Sequence, residues 1–248
     1  MRRIMLRVAY DGTGYSGWQE QENAITIESE LNKALSSVTG EDISVIGASR
    51  TDAGVHAEGA VCVFDTDSRI PAEKFSYAAN TRLPEAVRVW ESTEVEPDFH
   101  PRHCNSEKTY EYRIWNDDFD NPLMTRYTHF IYRDIDVDAM DRAAQCLVGE
   151  HDFKSYCSTK AEVLSTVREI VSIRVERDSV DSRLIRITVT GKGFLYNMVR
   201  IIAGTLIEVG TGLRTVESVK TALEAKNREA AGPTAPAKGL TLKRMIFL

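Results

Sequence analysis

The chain has 248 residues, of which 42% are hydrophobic and 27% are charged, and its formal net charge at pH 7 is −6. No stretch approaches the run of about 20 apolar residues that a membrane helix needs, and the N-terminal run is too short and polar for a signal peptide, so we expect a cytoplasmic protein. The negative charge argues against a nucleic-acid partner only weakly, because a local basic patch can bind phosphates on an acidic protein.

The first half of the chain predicts the order β-α-β-β-α-β. Alternating apolar residues indicate strands, and apolar residues at helical spacing indicate helices. The predicted elements are a strand at Ile4–Tyr10, a helix at Ile27–Val38 between an N-cap Thr26 and Gly40, strands at Ile43–Ala48 and Ala60–Phe64, a short helix opened by Pro71, and a strand at Val87–Val95.

The second half predicts the same order with one added helix. Its predicted elements are a strand at Lys108–Asn116, a helix from an N-cap Asp136 to Gly149, strands at Thr166–Val175 and Leu184–Thr190, an apolar helix at Phe194–Val209, a helix from Thr215 to Lys226, and a strand at Leu240–Leu248. We therefore predict an α+β fold of two ferredoxin-like (RRM-like) halves, residues 1–97 and 98–248, joined into a mainly antiparallel sheet with a central cleft.

The four cysteines are expected to be free thiols. Cys62, Cys104, Cys146 and Cys157 have no CxxC spacing and form no Cys/His cluster of the metal-ligand type. We therefore predict neither a disulfide nor a metal site.

A loop with a candidate catalytic carboxylate lies between the second and third predicted strands. Ser49–Ala57 is longer than most hairpin connections and contains Arg50, Asp52 and His56. Asp52 could serve as a nucleophile, a general base or an electrostatic stabiliser without a cofactor. In the alternative interpretation, Asp52 bonds local amides and pairs with Arg50, and His56 is a structural residue rather than an acid or base.

Two further candidates lie in the second half. Tyr110 and Tyr112 share one face of a strand; Tyr112 is typical of a core residue, whereas Tyr110 could stack on a base swung out of an RNA helix. Arg200 lies inside an apolar helix, where a guanidinium must be paired. Its partner is either a functional carboxylate elsewhere in the fold or a structural acid such as Glu208 or Asp152.

Several stretches together resemble the tRNA pseudouridine synthase A family, and the resemblance covers essentially the whole chain. The most specific of them is RTDAGVHA. The matching stretches are Tyr10–Gln19, Arg50–Ala57, Phe99–His100, Ala143–Leu147, Gly149–Phe153 and Phe194–Gly204.

The resemblance implies an isomerase that converts uridines in the tRNA anticodon arm, at the expected tRNA positions 38, 39 and 40, to pseudouridine. It implies a homodimer that needs no cofactor and no metal. By position, Asp52 matches the family's catalytic aspartate, Tyr110 its active-site tyrosine, Arg50 its motif arginine, and Arg200 the arginine that pairs with the aspartate.

Two other function classes fit parts of the pattern. A non-catalytic RNA-binding module would share the β-α-β-β-α-β unit, but the characteristic RRM run of Gly and aromatics is absent. A glycoside or nucleoside hydrolase would need a second catalytic carboxylate, and the Asp52 loop contains none before Glu58. The basic residues expected in the RNA-binding cleft are Arg50, Arg82, Lys108, Lys154, Lys192 and Arg200.

Overall fold

The structure is a computed structural model that describes residues 1–161 and 163–248. Within these residues there are ten β-strands and five α-helices, and none of the helices is both long and apolar enough to cross a membrane. In chain order the elements are β1 (Arg2–Tyr10), α1 (Ile27–Thr39), β2 (Ile46–Gly47), β3 (His56–Thr66), α2 (Phe75–Asn80), β4 (Val87–Val95), β5 (Ser106–Asn116), β6 (His129–Ile131), α3 (Val137–Ala144), β7 (Gly149–Asp152), β8 (Val167–Arg177), β9 (Leu184–Gly191), α4 (Met198–Gly210), α5 (Glu217–Ala225) and β10 (Leu240–Phe247).

The chain packs into two compact units. The first contains Met1–Asn105 together with Leu242–Leu248, and the second contains Ser106–Thr241. The C-terminal residues belong to the first unit because most of β10 lies next to β3. The division into domains at residues 1–97 and 98–248, which the sequence indicates, stays a prediction.

The sheet of the first unit has the strand order of a ferredoxin-like fold. The order is β4-β1-β3, and β2 pairs with the other edge of β3; all of these pairs are antiparallel. That same edge of β3 also adjoins β10. The close approach needs Gly59, since a Cβ there would lie 2.8 Å from the Lys243 carbonyl oxygen.

Helix α1 begins and ends where its capping residues predict. The Thr26 side chain accepts the Ser29 amide, and the Ser29 side chain accepts the Thr26 amide, which together form a capping box. At the other end Gly40 takes the left-handed conformation with φ of 75°. The apolar face of the helix, which includes Ile27 and Leu31, is buried in the core of the first unit.

The second unit repeats this order. Its strands follow β5-β9-β8-β7 in antiparallel pairs, while β6 pairs in parallel with β5. Strands β5, β9 and β8 therefore correspond to β1, β3 and β2 of the first unit. The predicted fold class, α+β with mainly antiparallel sheet, is confirmed.

Helix α4 forms the centre of the second unit. Eleven of its 13 residues are buried, among them Ile201, Ile202 and Leu206. A helix that is apolar all round belongs inside a protein, as the sequence predicted. Burial of one such side chain stabilises the fold by about 1.5–3 kcal/mol, so α4 is a major source of stability.

The strand prediction for Ile43–Ala48 is wrong over most of its length, since β2 has only two residues. The reason is that side chains of α1 take up backbone donors of this segment. The Ile43 amide donates to the Ser36 hydroxyl and the Val45 amide to the Asn32 side chain, at 2.9 Å each. These backbone amides therefore have hydrogen-bond acceptors without pairing to a neighbouring strand.

Several element bounds in the second unit also differ from the predictions. Strands β6 and β7 were not predicted, because neither has a run of alternating apolar residues. Helix α3 stops at Ala144, and a 3₁₀ turn follows it. Helix α4 begins at Met198 rather than Phe194, because Asn197 is left-handed, and the N-cap of α5 is Val216 rather than Thr215.

Candidate functional site

The loop that carries Asp52 joins β2 to β3, as predicted. Asp52 is half-buried, Arg50 is exposed and Thr51 is buried. The loop closes in a tight turn in which the Val55 amide donates to the Asp52 carbonyl oxygen at 3.1 Å. The third residue of this turn, Gly54, has a φ of 76°, as a type II turn requires. The local backbone around the carboxylate is therefore fixed by the turn type.

A glycine-rich segment between β1 and α1 packs directly beneath this loop. A Cβ on Gly12 would lie 2.1 Å from the Val55 carbonyl oxygen. A Cβ on Gly17 would lie 2.7 Å from the Thr51 carbonyl oxygen and 3.2 Å from the Asp52 carbonyl carbon. Only residues without a side chain allow the two backbones to approach this closely. We call Gly12–Trp18 the backing segment.

Hydrogen bonds join the loop to the backing segment and to β1. The Trp18 amide donates to the Thr51 carbonyl oxygen at 3.1 Å, and the Gly54 amide donates to the Tyr15 carbonyl oxygen at 3.3 Å. The Thr51 hydroxyl lies 2.8 Å from the Tyr10 hydroxyl inside the core. The residue immediately before Asp52 is thus anchored through both its backbone and its side chain.

His56 is placed as a structural residue. Its Nδ1 accepts the Gly12 amide at 3.0 Å and is buried. Asp11 Oδ1 lies 3.2 Å from the same nitrogen. Since Nδ1 uses its lone pair for the Gly12 amide, it has no proton to give Asp11, and we assign the neutral tautomer with its proton on Nε2. This geometry favours the structural interpretation of His56 over an acid–base role.

Tyr110 lies in the middle of β5, where it pairs with Val189 of β9. Tyr110 is 6% exposed. Its ring packs edge to face against the ring of Phe194, and the two ring centroids are 5.2 Å apart. Its neighbour on the same face, Tyr112, is fully buried and donates to the Pro236 carbonyl oxygen at 2.9 Å. Burial raises the pKa of Tyr112, so it remains a neutral core residue, as predicted.

Arg200 lies in the first turn of α4, and its guanidinium makes two hydrogen bonds within the second unit. Nε donates to the Ala235 carbonyl oxygen and Nη1 to the Asn197 side-chain oxygen, both at 2.8 Å. The two acids considered as structural partners have other cations. Glu208 contacts Arg214 at 2.5 Å, and Asp152 lies 3.2 Å from Lys226.

The predicted site residues therefore fall into two pairs. Arg50 and Asp52 lie on the loop of the first unit, and Tyr110 and Arg200 lie in the second unit. The sequence prediction did not assign a role to the backing segment or to Asn197. Three glycines within six residues, at positions 12, 14 and 17, were the available signal for the backing segment.

Lys192, one of the basic residues expected to bind RNA, pairs with an acid. Lys192 lies 2.6 Å from Glu169, and this hydrogen bond raises the pKa of Lys192. Arg82 and Lys154 are exposed on the surface. Lys192 is exposed as well, but the carboxylate of Glu169 offsets part of its attraction for phosphates, so Lys192 is not equivalent to Arg82 and Lys154.

Comparison with known proteins identifies the relatives of this chain. It matches a family model described as tRNA pseudouridine synthase over residues 7–103 and 143–247. It is also similar to proteins named tRNA pseudouridine synthase A from Brevibacillus brevis, at 45% identity, Thermoanaerobacter sp. (strain X514), at 43%, and Acetivibrio thermocellus, at 42%. Each of these alignments spans 247 residues and covers 100% of both chains.

The backing segment generates a prediction that separates steric contact from backbone strain. Gly14 and Gly17 have φ angles of 81° and 91°, but only a Cβ on Gly17 would meet the Asp52 loop; around Gly14 there is nothing within 4 Å. In both alanine variants the free energy of unfolding should fall by about 1–2 kcal/mol, because alanine is strained in the left-handed conformation. Gly17→Ala loses a further 1–3 kcal/mol or so through overpacking.

Urea unfolding of the two variants measures this difference, with Gly14→Ala as the matched control. Amide exchange at Val55, whose N–H closes the Asp52 turn, should also be faster in Gly17→Ala only. Equal losses of stability in the two variants would show that the loop does not depend on the backing segment.

Proposed function

This chain belongs to the tRNA pseudouridine synthase family, and on that premise we propose that it isomerises uridine to pseudouridine in the anticodon stem-loop of tRNA. The observation that carries the proposal is the half-buried Asp52 on a turn fixed by the backing segment. A carboxylate at a sugar carbon must be held in place, because misplacement by about 1 Å can cost a hundredfold in rate.

The reaction requires no atoms beyond those of the uridine. The bond from N1 to the ribose C1′ breaks, the uracil turns, and C5 forms a bond to the same carbon. C5 then loses a proton and N1 gains one, so the product is an isomer. We propose that Asp52 acts at the ribose, either by attack on C1′ or by removal of the neighbouring ribose proton, and that no cofactor or metal is involved.

The other three predicted site residues are proposed to bind the substrate, in the case of Arg50 and Tyr110, or to orient the Asp52 carboxylate, in the case of Arg200. The target base must leave its stack, at a cost of a few kcal/mol. We propose that Arg50, which is exposed beside Asp52, fills the vacated space or binds a phosphate. Tyr110, whose ring is held by Phe194, stacks on the uracil and assists in removal of the C5 proton.

Arg200 is proposed as the cation that pairs with Asp52. A guanidinium beside a carboxylate favours the charged form of the acid and fixes its direction. The support for this role is that Glu208 and Asp152, the structural alternatives, have other cationic partners. Its guanidinium is restrained by the hydrogen bonds that it donates to the Ala235 carbonyl oxygen and the Asn197 side-chain oxygen.

We further propose that the enzyme is a cytoplasmic homodimer that acts on the anticodon arm of tRNA. This follows from the resemblance to the family. Light scattering of the purified protein at several concentrations tests the dimer, and mapping of pseudouridine along isolated tRNAs tests the choice of target nucleotides.

Replacement of Asp52 tests the proposed chemistry most directly. Asp52→Asn should abolish turnover and leave tRNA binding and thermal stability nearly unchanged, because the amide keeps the size of the side chain but cannot act as a base or nucleophile. The measurement is tritium release from C5-labelled uridine in undermodified tRNA. Asp42→Asn, at an exposed acid of the same unit, is the control and should behave as wild type.

Nucleoside analysis of the same reactions separates the function classes. An isomerase converts uridine to pseudouridine without loss of base, a nucleoside hydrolase releases free uracil, and a binding module changes nothing. Appreciable pseudouridine formation by Asp52→Asn would rule out the role assigned to Asp52.

Variants of Arg200 test its role toward Asp52. Arg200→Met should lower turnover roughly 10²-fold or more, in line with the loss of one fixed charge-stabilising donor, while tRNA affinity changes little. It should also lower the melting temperature, because two hydrogen bonds of the guanidinium are lost. Arg200→Lys restores the charge but not the planar fork and should recover part of the activity. A larger effect on affinity than on turnover would instead place Arg200 in RNA binding.

The affinity for tRNA should fall steeply with salt in spite of the net charge of −6. If about six phosphates are contacted, affinity falls roughly a thousandfold between about 50 and 200 mM salt, because condensed counterions are released. Arg82→Ala should lower the slope of the salt dependence by about one. Lys192→Ala should lower it less, since Lys192 is paired with Glu169. Filter binding over a salt series measures both, and a flat salt dependence would contradict the proposed basic surface.

A further inference from the structure

Helix α4 has an unusual N-terminus. Its N-cap residue, Asn197, adopts the left-handed conformation with φ of 61° and ψ of 7°. Asparagine is favoured at N-caps because its side chain accepts an amide of the first turn, but here no such hydrogen bond is made. The Asn197 side-chain oxygen instead accepts the guanidinium Nη1 of Arg200 at 2.8 Å. The side chain thus contacts a proposed functional group rather than the helix end.

The opposite side of the same guanidinium is held by a chain segment at Ala231–Pro236, which we call the strap. Nε of Arg200 donates to the Ala235 carbonyl oxygen, and the Ala235 amide donates back to the Arg200 carbonyl oxygen at 3.1 Å. The strap therefore forms hydrogen bonds with both the side chain and the backbone of Arg200.

The strap is itself fixed on α4. The Gly232 amide donates to the Thr205 hydroxyl at 2.9 Å, and a Cβ on Gly204 would lie 1.9 Å from the Pro233 carbonyl oxygen. The prolines at positions 233 and 236 restrict φ at both ends of the Ala235 region. The acceptor for Nε is therefore rigid, whereas the Asn197 oxygen that accepts from Nη1 belongs to a side chain, which a substitution can remove.

We propose that Asn197 is a positioning residue for catalysis, and that its side-chain oxygen helps to fix the direction of the Arg200 guanidinium. The Ala235 carbonyl oxygen restrains the Nε end of the planar group and the Asn197 oxygen restrains Nη1. Acceptors on two different nitrogens fix the direction of the fork more narrowly than either acceptor alone. This inference rests on the proposed function, in which Arg200 orients the carboxylate of Asp52. Asn197 acts through Arg200 and does not contact the substrate.

The backbone conformation makes the proposal testable without loss of the fold. Glycine adopts φ near 60° at no steric cost, and a glycine N-cap is nearly as good as asparagine. Asn197→Gly therefore removes the side-chain oxygen and leaves the helix start intact. Asn23, with φ of 60° in the first unit, offers a matched control for the same substitution.

In the main experiment Asn197→Gly should lower kcat about tenfold, the effect of one charge-assisted hydrogen bond, with KM for tRNA changed less than about twofold. The melting temperature should stay at the wild-type value. Asn23→Gly should match wild type in all three measurements. An unchanged kcat, or a melting temperature well below wild type, would overturn the proposal, because the side chain would then be idle or would serve only the fold.

A double-mutant cycle shows whether Asn197 acts through Arg200. In an Arg200→Lys background the planar fork is absent, so Asn197→Gly should lower kcat less than about twofold further. A full tenfold loss in that background would overturn the proposal. Wild-type activity in Asn197→Gly, with wild-type protein making pseudouridine, refutes the positioning role alone; absence of pseudouridine from wild-type reactions refutes the proposed function and this inference together.

Discussion

Direct contact between two backbones determines where the candidate catalytic carboxylate lies. The loop that carries Asp52 rests on the backing segment at Gly12 and Gly17, with no side chain between them. Loops are usually more mobile than the strands they join. Here the loop shares its hydrogen bonds and its packing surface with a second loop, and β1 anchors both through the Tyr10–Thr51 contact. The carboxylate is thus held by the core of the unit as well as by its own short turn.

The second unit uses the same device in a different place. Gly204 and Gly232 allow the strap to lie on α4, as Gly12 and Gly17 allow the backing segment to lie under the Asp52 loop. In both units carbonyl oxygens approach where a Cβ would otherwise stand, so peptide groups support the predicted site residues of each unit. Peptide groups carry no rotamer freedom, and a group held by them loses less entropy when it becomes ordered. Both units therefore present their charged residue from a rigid support.

The sequence predicted those elements whose signals are local. Helix α1, with Thr26 at one end and Gly40 at the other, and strand β4 have their predicted bounds to within a residue or so. Strand β2 was overestimated because Asn32 and Ser36, polar residues on the neighbouring helix, satisfy the backbone of the segment. No local pattern reveals that a side chain 13 residues away will replace a strand partner. An alternating apolar pattern indicates which residues are buried, but it does not indicate which acceptors their backbone amides donate hydrogen bonds to.

The same limit applies to the candidate site. Asp52, Arg50, Tyr110 and Arg200 could be assigned because they lie in motifs whose order and spacing resemble a known family. Asn197 lies in the same quoted stretch, yet its role depends on its left-handed conformation and on the hydrogen bond between Arg200 and the Ala235 carbonyl oxygen, which lies 35 residues beyond Arg200. The predicted helix at Phe194–Val209 placed Asn197 inside its first turn, where nothing in the sequence distinguishes it. A residue that has the right type for a common structural task but does not perform that task is visible only in three dimensions, and such a residue is the place to look for function.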